Sequence, residues 1–300
     1  MRGRFSCRSS NGSPITDWRR ILAFGRATSA NTSIIIGAGG VRSLLGLGAI
    51  RAVTESGARI DRVVGSSMGA LVAASYAFAV PARTVVREIE RLRILDFARI
   101  QLYGRGLFSN DPLFELTETL LPEADIADAT VRLSVVCTDL ISGEAVVLER
   151  GPVRPLVAAS CIFAGLMEAM SWNGMELVDG GYCSVLPDIT KEGNEVVIAI
   201  DARQHVAPSQ PISKARHILS PSRWKLIGST LARVSDILFL HQSGAVASRD
   251  VDLIIAPPME DVTILAFRKA QRVAEEGFVA TALALASMNR DRKDTCDNRQ

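Results

Sequence analysis

Short apolar runs alternate with amphipathic stretches along most of the chain. Residues 33–36 and 61–64 contain runs of β-branched residues, and each run ends at a glycine-rich turn. A stretch with apolar residues at helical spacing follows each turn, over 44–56 and over 70–80. This pattern predicts two successive strand–turn–helix units, which are typical of an α/β protein with a parallel sheet.

The rest of the chain predicts further secondary structure and a single domain. Amphipathic helices are expected over residues 81–95, 111–121 and 261–288. Strands are expected over residues 131–139, 144–148, 195–201 and 252–256. Because no internal repeat or domain-sized linker separates these segments, one domain over residues 33–288 is the simpler organisation.

Three segments differ in composition from this pattern. Residues 1–32 are rich in Arg and Ser and lack the apolar stretch of a secretory signal. We expect a disordered leader there, with an organellar transit peptide as the alternative. Residues 203–223 are rich in Pro, Ser and Gln and are the best candidate for a loop or lid, and residues 289–300 are expected to form a solvated tail.

Composition, net charge and cysteine content exclude several classes of protein and site for this chain. Hydrophobic residues make up 48% and charged residues 22%, which is typical of a globular chain. The net charge of +2 gives no argument for a nucleic-acid partner. An odd number of cysteines without C-x-x-C spacing indicates neither a disulfide framework nor a zinc site; they are Cys7, Cys137, Cys161, Cys183 and Cys296.

No stretch is apolar over the ~18 residues that a membrane span needs. We expect a cytoplasmic protein that is peripheral to membranes at most.

The second turn, "GSSMG", fits the pattern G-x-S-x-G with Ser67 at its centre. A strand that enters a helix through so few residues turns sharply, and Gly65 and Gly69 remove side chains that would collide there. Ser67 would also lie at a helix N-terminus, where free N–H groups favour a developing negative charge. The alternative is a tight turn whose Ser67 only caps the helix. Ser66 is the weaker candidate because it lies off the centre of the motif.

The first turn, "GAGGVRS" over residues 37–43, fits an oxyanion hole better than a dinucleotide site. A dinucleotide fingerprint would place glycine at Arg42 and an acidic residue after the next strand, and the sequence has neither. Backbone N–H groups of Gly39, Gly40 and the residues after them are therefore candidates to bind a carbonyl oxygen. Adjacent parallel strands would bring both turns to one edge of the sheet, so we expect a single site.

A serine nucleophile also needs a base, and Asp179 is the best candidate. Asp179 follows the apolar pair Leu177 and Val178 and precedes Gly180 in "ELVDGGYC". The alternative is an ordinary Asp-Gly turn. A Ser–Asp–His triad is also open by chain order, but none of the histidines follows a strand in a recognisable turn; they are His205, His217 and His241.

Taken together, "AGGVRS", "GSSMG" and "DGG" resemble the patatin-like phospholipase family in order and spacing, with Ser67 and Asp179 112 positions apart. The resemblance covers residues 33–202. It implies a three-layer α/β fold with a central, mostly parallel sheet flanked by helices. It also implies that Ser67 is the nucleophile, that Asp179 takes its proton, and that a run of backbone N–H groups forms the oxyanion turn, namely Gly39, Gly40, Val41 and Arg42.

The reaction implied by the resemblance is hydrolysis of carboxyl esters of phospholipids or related acyl lipids through an acyl-enzyme, without metal or cofactor. An acyltransferase or thioesterase with the same residues, or a weakly catalytic lipid-binding member, is the alternative. A carboxylate is a poor base for a hydroxyl unless burial raises its pKa. We therefore expect dry, partly apolar surroundings at Asp179, with an acyl chain near Leu71, Val72 and residues 163–167.

Two departures from the family pattern bear on the oxyanion turn. Ala38 and Ser43 stand where the family usually has glycine. If the turn needs a positive φ at Ala38, the strain costs ~1 kcal/mol or more. The alternative is that Gly37 shifts the turn by one residue. A third departure is Ala164, which stands where the family often has proline. These residues predict a turn that is less favourable than the usual one.

Overall fold

A computed structural model describes residues 31–101, 106–193, 195–203 and 250–297, without the side chains of Ala98 and residues 289–297. The expected leader lies outside the described residues except for its last two positions. The candidate loop or lid lies outside them except for Arg203, and so do the three histidines.

Eight strands of the described residues form one sheet. They are β1 (Thr32–Ile36), β2 (Ile60–Ser66), β3 (Arg132–Asp139), β4 (Ala145–Leu148), β5 (Met170–Trp172), β6 (Met175–Asp179), β7 (Val196–Ile200) and β8 (Leu253–Ile255). The pairs β1–β2, β1–β7, β2–β3 and β7–β8 are parallel. The pairs β3–β4, β3–β6 and β5–β6 are antiparallel. The expected α/β fold with a central, mostly parallel sheet is confirmed.

Six α-helices of the described residues accompany the sheet. They are α1 (Leu45–Glu55), α2 (Met68–Ala77), α3 (Ala82–Arg91), α4 (Asp111–Leu120), α5 (Val153–Ala159) and α6 (Ala270–Asp297). Short 3-10 helices lie at Gly40–Leu44, Ile94–Ala98, Ile126–Asp128, Gly180–Tyr182 and Phe267–Lys269. The β5–β6 hairpin and α5 were not predicted from the sequence.

The alternation of side chains along the central strands divides the core between the two faces of the sheet. Ile34 and Ile36 of β1 belong to the main apolar cluster, which includes most of the helical core residues. Ile35 points to the opposite face, where it joins a smaller cluster with Leu186 and Ile189. All five residues of β1 are buried, so this strand lies at the centre of the sheet. Full burial of one such isoleucine contributes about 1.5–3 kcal/mol.

The long C-terminal helix differs from its prediction at its beginning. It was expected from residue 261, but the α-helix begins at Ala270 after a 3-10 turn. The preceding backbone is used in tertiary contacts, since the carbonyl of Ile264 accepts a hydrogen bond from the amide of Val41. At its other end the helix continues to Asp297, so most of the segment expected as a tail is helical.

The helices that follow the second turn also end earlier than predicted. The helix expected over 70–80 ends at Ala77, and Ala79 takes a positive φ of 56°. The helix expected over 81–95 ends at Arg91 because the next residue, Leu92, has extended backbone. The sequence pattern continued beyond these points because the following residues are also apolar.

Candidate active site

Ser67 lies at the sharp turn between β2 and α2. Its backbone has φ 57° and ψ −134°, a region that residues other than glycine rarely adopt. The glycines on either side are needed for space. A Cβ on Gly65 would lie 2.3 Å from the carbonyl oxygen of Gly69, and a Cβ on Gly69 would lie 2.4 Å from that of Ile36. The glycines of the motif therefore allow the turn to close tightly against the end of β1.

The register of the sheet brings the ends of β2 and β6 together. Ser66 of β2 pairs with Val136, and Asp179 of β6 pairs with the next residue of β3, Cys137. Because β4 occupies the other edge of β3, both strands lie along the same edge. Gly180 makes this approach possible, since a Cβ there would lie 2.2 Å from the carbonyl oxygen of Val136.

Ser67 and Asp179 contact each other directly. The Oγ of Ser67 donates a hydrogen bond to Oδ2 of Asp179 at 2.5 Å, and the amide of Gly181 donates to Oδ1 at 2.7 Å. The neighbouring hydroxyl of Ser66 is fully buried and has no hydrogen-bond partner among the described residues. Of the two adjacent serines, only Ser67 is therefore placed to exchange a proton with this carboxyl group.

Burial raises the pKa of Asp179 to about 7, and its hydrogen bonds with Ser67 and Gly181 only partly oppose that shift. Asp179 is 5% exposed and Ser67 is 8% exposed. Burial likewise raises the pKa of the nearby thiols of Cys137 and Cys161, with the Asp179 charge as the second cause. Asp179 is thus buried, as the sequence predicted.

Ser160 contacts the backbone of Ser67 and Ile162 contacts that of Asp179, and neither residue was predicted from the sequence. The hydroxyl of Ser160 accepts a hydrogen bond from the amide of Ser67 at 2.8 Å and donates one to the carbonyl of Val136 at 2.6 Å. The carbonyl of Ile162 accepts from the amide of Asp179 at 3.0 Å. No local pattern marks these residues, because they act through contacts that are distant in sequence.

The glycine-rich turn after β1 is not strained at Ala38, contrary to the concern raised by the sequence. The described non-glycine residues with positive φ do not include Ala38. Its amide donates to the carbonyl of Val185 at 2.6 Å. Ser43 also fits, because its hydroxyl donates to the carbonyl of Gly37 at 2.7 Å. The positive φ of the turn lies at Gly40, with φ 58° and space for no Cβ beside Ile264.

Two of the four amides expected in the oxyanion turn are already hydrogen-bonded. The amide of Val41 donates to the carbonyl of Ile264 at 2.9 Å, and that of Arg42 donates to Gly39 at 3.2 Å. The Nε of Arg42 lies 3.5 Å from the same carbonyl of Gly39, and the side chain is buried, so it helps to fix the turn. Within the described part of the chain, the amides of Gly39 and Gly40 have no hydrogen-bond partner.

The residues expected to line an acyl site lie in two different environments. Leu71 and Val72 are fully buried within the main apolar cluster. Phe163 and Leu166 are only partly buried, and they follow Ile162, whose carbonyl holds Asp179. Of the residues predicted to line an acyl site, the partly buried ones therefore lie in the segment that contacts the backbone of Asp179.

The described residues contain no group of three or more His, Cys, Asp or Glu side chains that could hold a metal ion. None of the helices in that part of the chain combines the length and the apolar character needed to cross a membrane.

Known proteins resemble this chain over most of its described length. A patatin-like phospholipase domain-containing protein of Caenorhabditis elegans is 29% identical over 83% of this chain and 25% of its own length. An uncharacterised NTE family protein of Mycobacterium tuberculosis is 28% identical over 54% of this chain and 45% of its own. Lysophospholipase NTE1 of Meyerozyma guilliermondii is 24% identical over 82% of this chain and 18% of its own.

The chain thus spans less than half the length of each of these relatives. The family model of patatin-like phospholipases matches residues 34–187, which is half of the chain and includes both turns and Asp179. The order of the motifs, the fold and this match agree. The chain belongs to the patatin-like phospholipase family.

Proposed function

We propose that this protein is a serine lipid acyl hydrolase that cleaves carboxyl esters of phospholipids or related acyl lipids through Ser67 and Asp179. The observation that carries the proposal is the 2.5 Å hydrogen bond from the Ser67 hydroxyl to the buried Asp179 carboxyl. Family membership and the similarity to a protein named as a lysophospholipase support the lipid substrate class.

In the proposed reaction, Oγ of Ser67 attacks the acyl carbonyl carbon while its proton passes to Oδ2 of Asp179. The tetrahedral intermediate collapses by breaking the ester C–O bond, and the leaving alcohol takes the proton from Asp179. A water molecule then attacks the acyl-enzyme, giving its proton to Asp179, which returns it to Ser67 as the fatty acid leaves. Asp179 suits this role because a base is most effective when its pKa lies near the working pH.

The amides of Gly39 and Gly40 are the proposed donors to the oxyanion. Both follow β1, whose neighbour β2 ends at the Ser67 turn, and both lack a partner among the described residues. The dipole of α2, whose N-terminus follows Ser67, adds a favourable potential for negative charge. Loss of one such donor typically lowers kcat about 100–1000-fold.

We also propose a peripheral contact with lipid surfaces beside this site. Leu140 and Ile141 follow β3 and are 52% and 68% exposed. The carboxylate of Asp139 organises their turn by accepting hydrogen bonds from the amides of Ile141 and Ser142. The turn contacts the loop after Asp179, since the thiol of Cys183 donates to the carbonyl of Gly143. A cytoplasmic location, suggested by the cysteine content, remains part of the proposal.

The proposal is tested by measuring hydrolysis of a chromogenic medium-chain ester and of a phospholipid and lysophospholipid panel. We expect turnover by the wild type and loss of it in Ser67→Ala and Asp179→Asn. Ser75→Ala is the matched control, because Ser75 is also fully buried but its hydroxyl has no partner among the described residues. An inactive wild type, or an active Ser67→Ala, would contradict the proposal. Faster transfer to an added alcohol than to water would identify an acyltransferase.

A further inference from the structure

Ser160 joins the Ser67 turn to the neighbouring strand. Its hydroxyl lies between two backbone groups, accepting from the Ser67 amide at 2.8 Å and donating to the Val136 carbonyl at 2.6 Å. Ser66 and Val136 are register partners, so the bridge forms where β2 leaves the edge of β3. Ser160 is fully buried, and its hydroxyl both accepts and donates through these two bonds.

The Ser67 amide needs a fixed partner because the backbone at this residue is strained. A non-glycine residue at φ 57° and ψ −134° costs about 1–3 kcal/mol and persists only when its surroundings hold it. A buried amide without a partner would add a further cost of about 1–3 kcal/mol. The hydroxyl of Ser160 satisfies this amide and thereby fixes the direction in which the Ser67 side chain leaves the turn.

The same short segment also holds the other member of the pair. Two residues after Ser160, the carbonyl of Ile162 accepts from the Asp179 amide at 3.0 Å. The segment is itself tied to α5, since the amide of Ser160 donates to the carbonyl of Leu156 at 3.1 Å. Residues 160–162 therefore set the position of the Ser67 backbone relative to that of Asp179.

We propose that Ser160 is a positioning residue for catalysis, which holds the nucleophile of the proposed hydrolase at hydrogen-bond distance from Asp179. This inference rests on the proposed function, because it concerns the geometry of the same reaction. Ser160 acts through the backbone of Ser67 and takes no part in proton transfer. Its loss lowers the rate of the chemical step without changing the contacts that bind the substrate.

The test compares kcat and KM of the wild type, Ser160→Ala and Ser160→Cys on the soluble chromogenic ester. Active molecules are counted by titration with a fluorophosphonate, so that unfolded protein does not enter kcat. We expect kcat to fall roughly 10–100-fold in both variants, since a small misplacement of a reacting group has that effect. We expect KM to stay within about 3-fold of the wild type. The Cys variant fills the space of the hydroxyl with a group that hydrogen-bonds only weakly, so it serves if Ser160→Ala does not fold.

The outcomes of this test distinguish the positioning role of Ser160 from the proposed function. Ser75→Ala controls for the loss of a buried serine hydroxyl and should keep wild-type kcat, because its hydroxyl has no partner among the described residues. Wild-type kcat per active molecule in Ser160→Ala or Ser160→Cys, with the wild type active, overturns the positioning role alone. The same holds if KM rises while kcat is unchanged. An inactive wild type overturns the proposed function instead.

Discussion

At the scale of single residues, Asp179 combines a requirement of the chemistry with a cost to stability. The proposed reaction needs a carboxylate basic enough to accept a proton from a serine hydroxyl, and burial raises the pKa of Asp179 to about 7. The same burial disfavours the charged form in the folded protein. Catalysis and stability should therefore depend on pH in opposite directions over the same range.

The first prediction concerns the pH dependence of turnover. Asp179 must be ionised to act as a base, so kcat/KM for the soluble ester should rise with pH and level off above a midpoint of about 7. A pH–rate profile of the wild type measures this midpoint. A plateau that extends below about pH 5, close to the ordinary pKa of an aspartic acid, would show that the base is not a buried carboxyl group.

The second prediction concerns stability. The pKa of Asp179 is raised from 3.8 to about 7, so between these values the folded protein holds a proton that the unfolded chain has released. The contribution of this group to stability is therefore present at low pH and is lost as the pH rises toward 7. Asp179→Asn removes the titrating group, so the variant does not lose this stability as the pH rises.

We expect Asp179→Asn to melt roughly 3–6 °C above the wild type near pH 8, and the difference to shrink toward pH 5. Thermal melts of both proteins across this range give the comparison, in which other titrating groups cancel. If the variant is less stable than the wild type at every pH, burial of the ionised Asp179 carboxyl group does not destabilise the folded protein.

At the scale of elements, the packing of α6 on α1 depends on two glycines inside helices. A Cβ on Gly48 of α1 would lie 1.9 Å from the carbonyl oxygen of Ala274, and one on Gly277 of α6 would lie 2.1 Å from that of Leu45. The two backbones therefore approach more closely than any side chain at these positions allows. This contact fixes the long C-terminal helix against the first strand–turn–helix unit.

The third prediction is that Gly277→Ala destabilises the protein. Alanine favours an isolated helix by about 1 kcal/mol over glycine, so helix propensity alone predicts the opposite sign. Because the new methyl group meets backbone atoms, we expect a net loss of about 2 kcal/mol or more in the free energy of unfolding. Chemical denaturation measures it, with Glu276→Ala, at an exposed position of the same helix, as the control. A stabilised Gly277→Ala would show that the helices lie further apart.

Elements differ in how far local sequence determined them. β1 and β2 were predicted to within two residues, because β-branched runs that end in glycine turns are local signals. The β5–β6 hairpin was not predicted, since its strands are short and have few β-branched residues. Its signal was Asn173-Gly174, whose positive φ values of 48° and 80° suit a two-residue hairpin turn. α5 was missed because it is one of the shortest helices and contains Pro155.

Local sequence likewise predicted some residues of the candidate site and missed others. Ser67 and Asp179 were found because each lies in a short motif whose glycines are needed locally. Ser160 was not found, since it contacts Ser67 from 93 positions away and only the fold brings them together. The condition for strain at Ala38 is not met, because the turn places its positive φ at Gly40.

At the scale of the whole molecule, the carboxyl edge of the sheet collects the features that a lipid hydrolase needs. The turns after β1 and β2 lie there, and the turn after β3 exposes Leu140 and Ile141 beside the loop that follows Asp179. An apolar surface next to the site would let the protein take acyl chains from an aggregated lipid. Under the proposed function, we therefore expect the substrate to be presented in a membrane or micelle.

The fourth prediction tests this surface. Ile141→Glu should lower the ratio of turnover on phospholipid vesicles to turnover on the soluble ester about 10-fold, because a charge at this position opposes contact with the apolar part of a lipid surface. Val279→Glu is the matched control, since Val279 is 39% exposed on α6. An unchanged ratio in Ile141→Glu, or an equal loss in both variants, would contradict a lipid contact at this turn.

The most direct test of whether Asp179 activates Ser67 is the site and rate of covalent modification by a fluorophosphonate, followed by intact-protein and peptide mass spectrometry. We expect one adduct on the wild type, located on Ser67, and at least ~100-fold slower modification of Asp179→Asn because the hydroxyl then lacks its base. No adduct, an adduct on another residue, or the same rate in Asp179→Asn would contradict the claim that Asp179 activates Ser67.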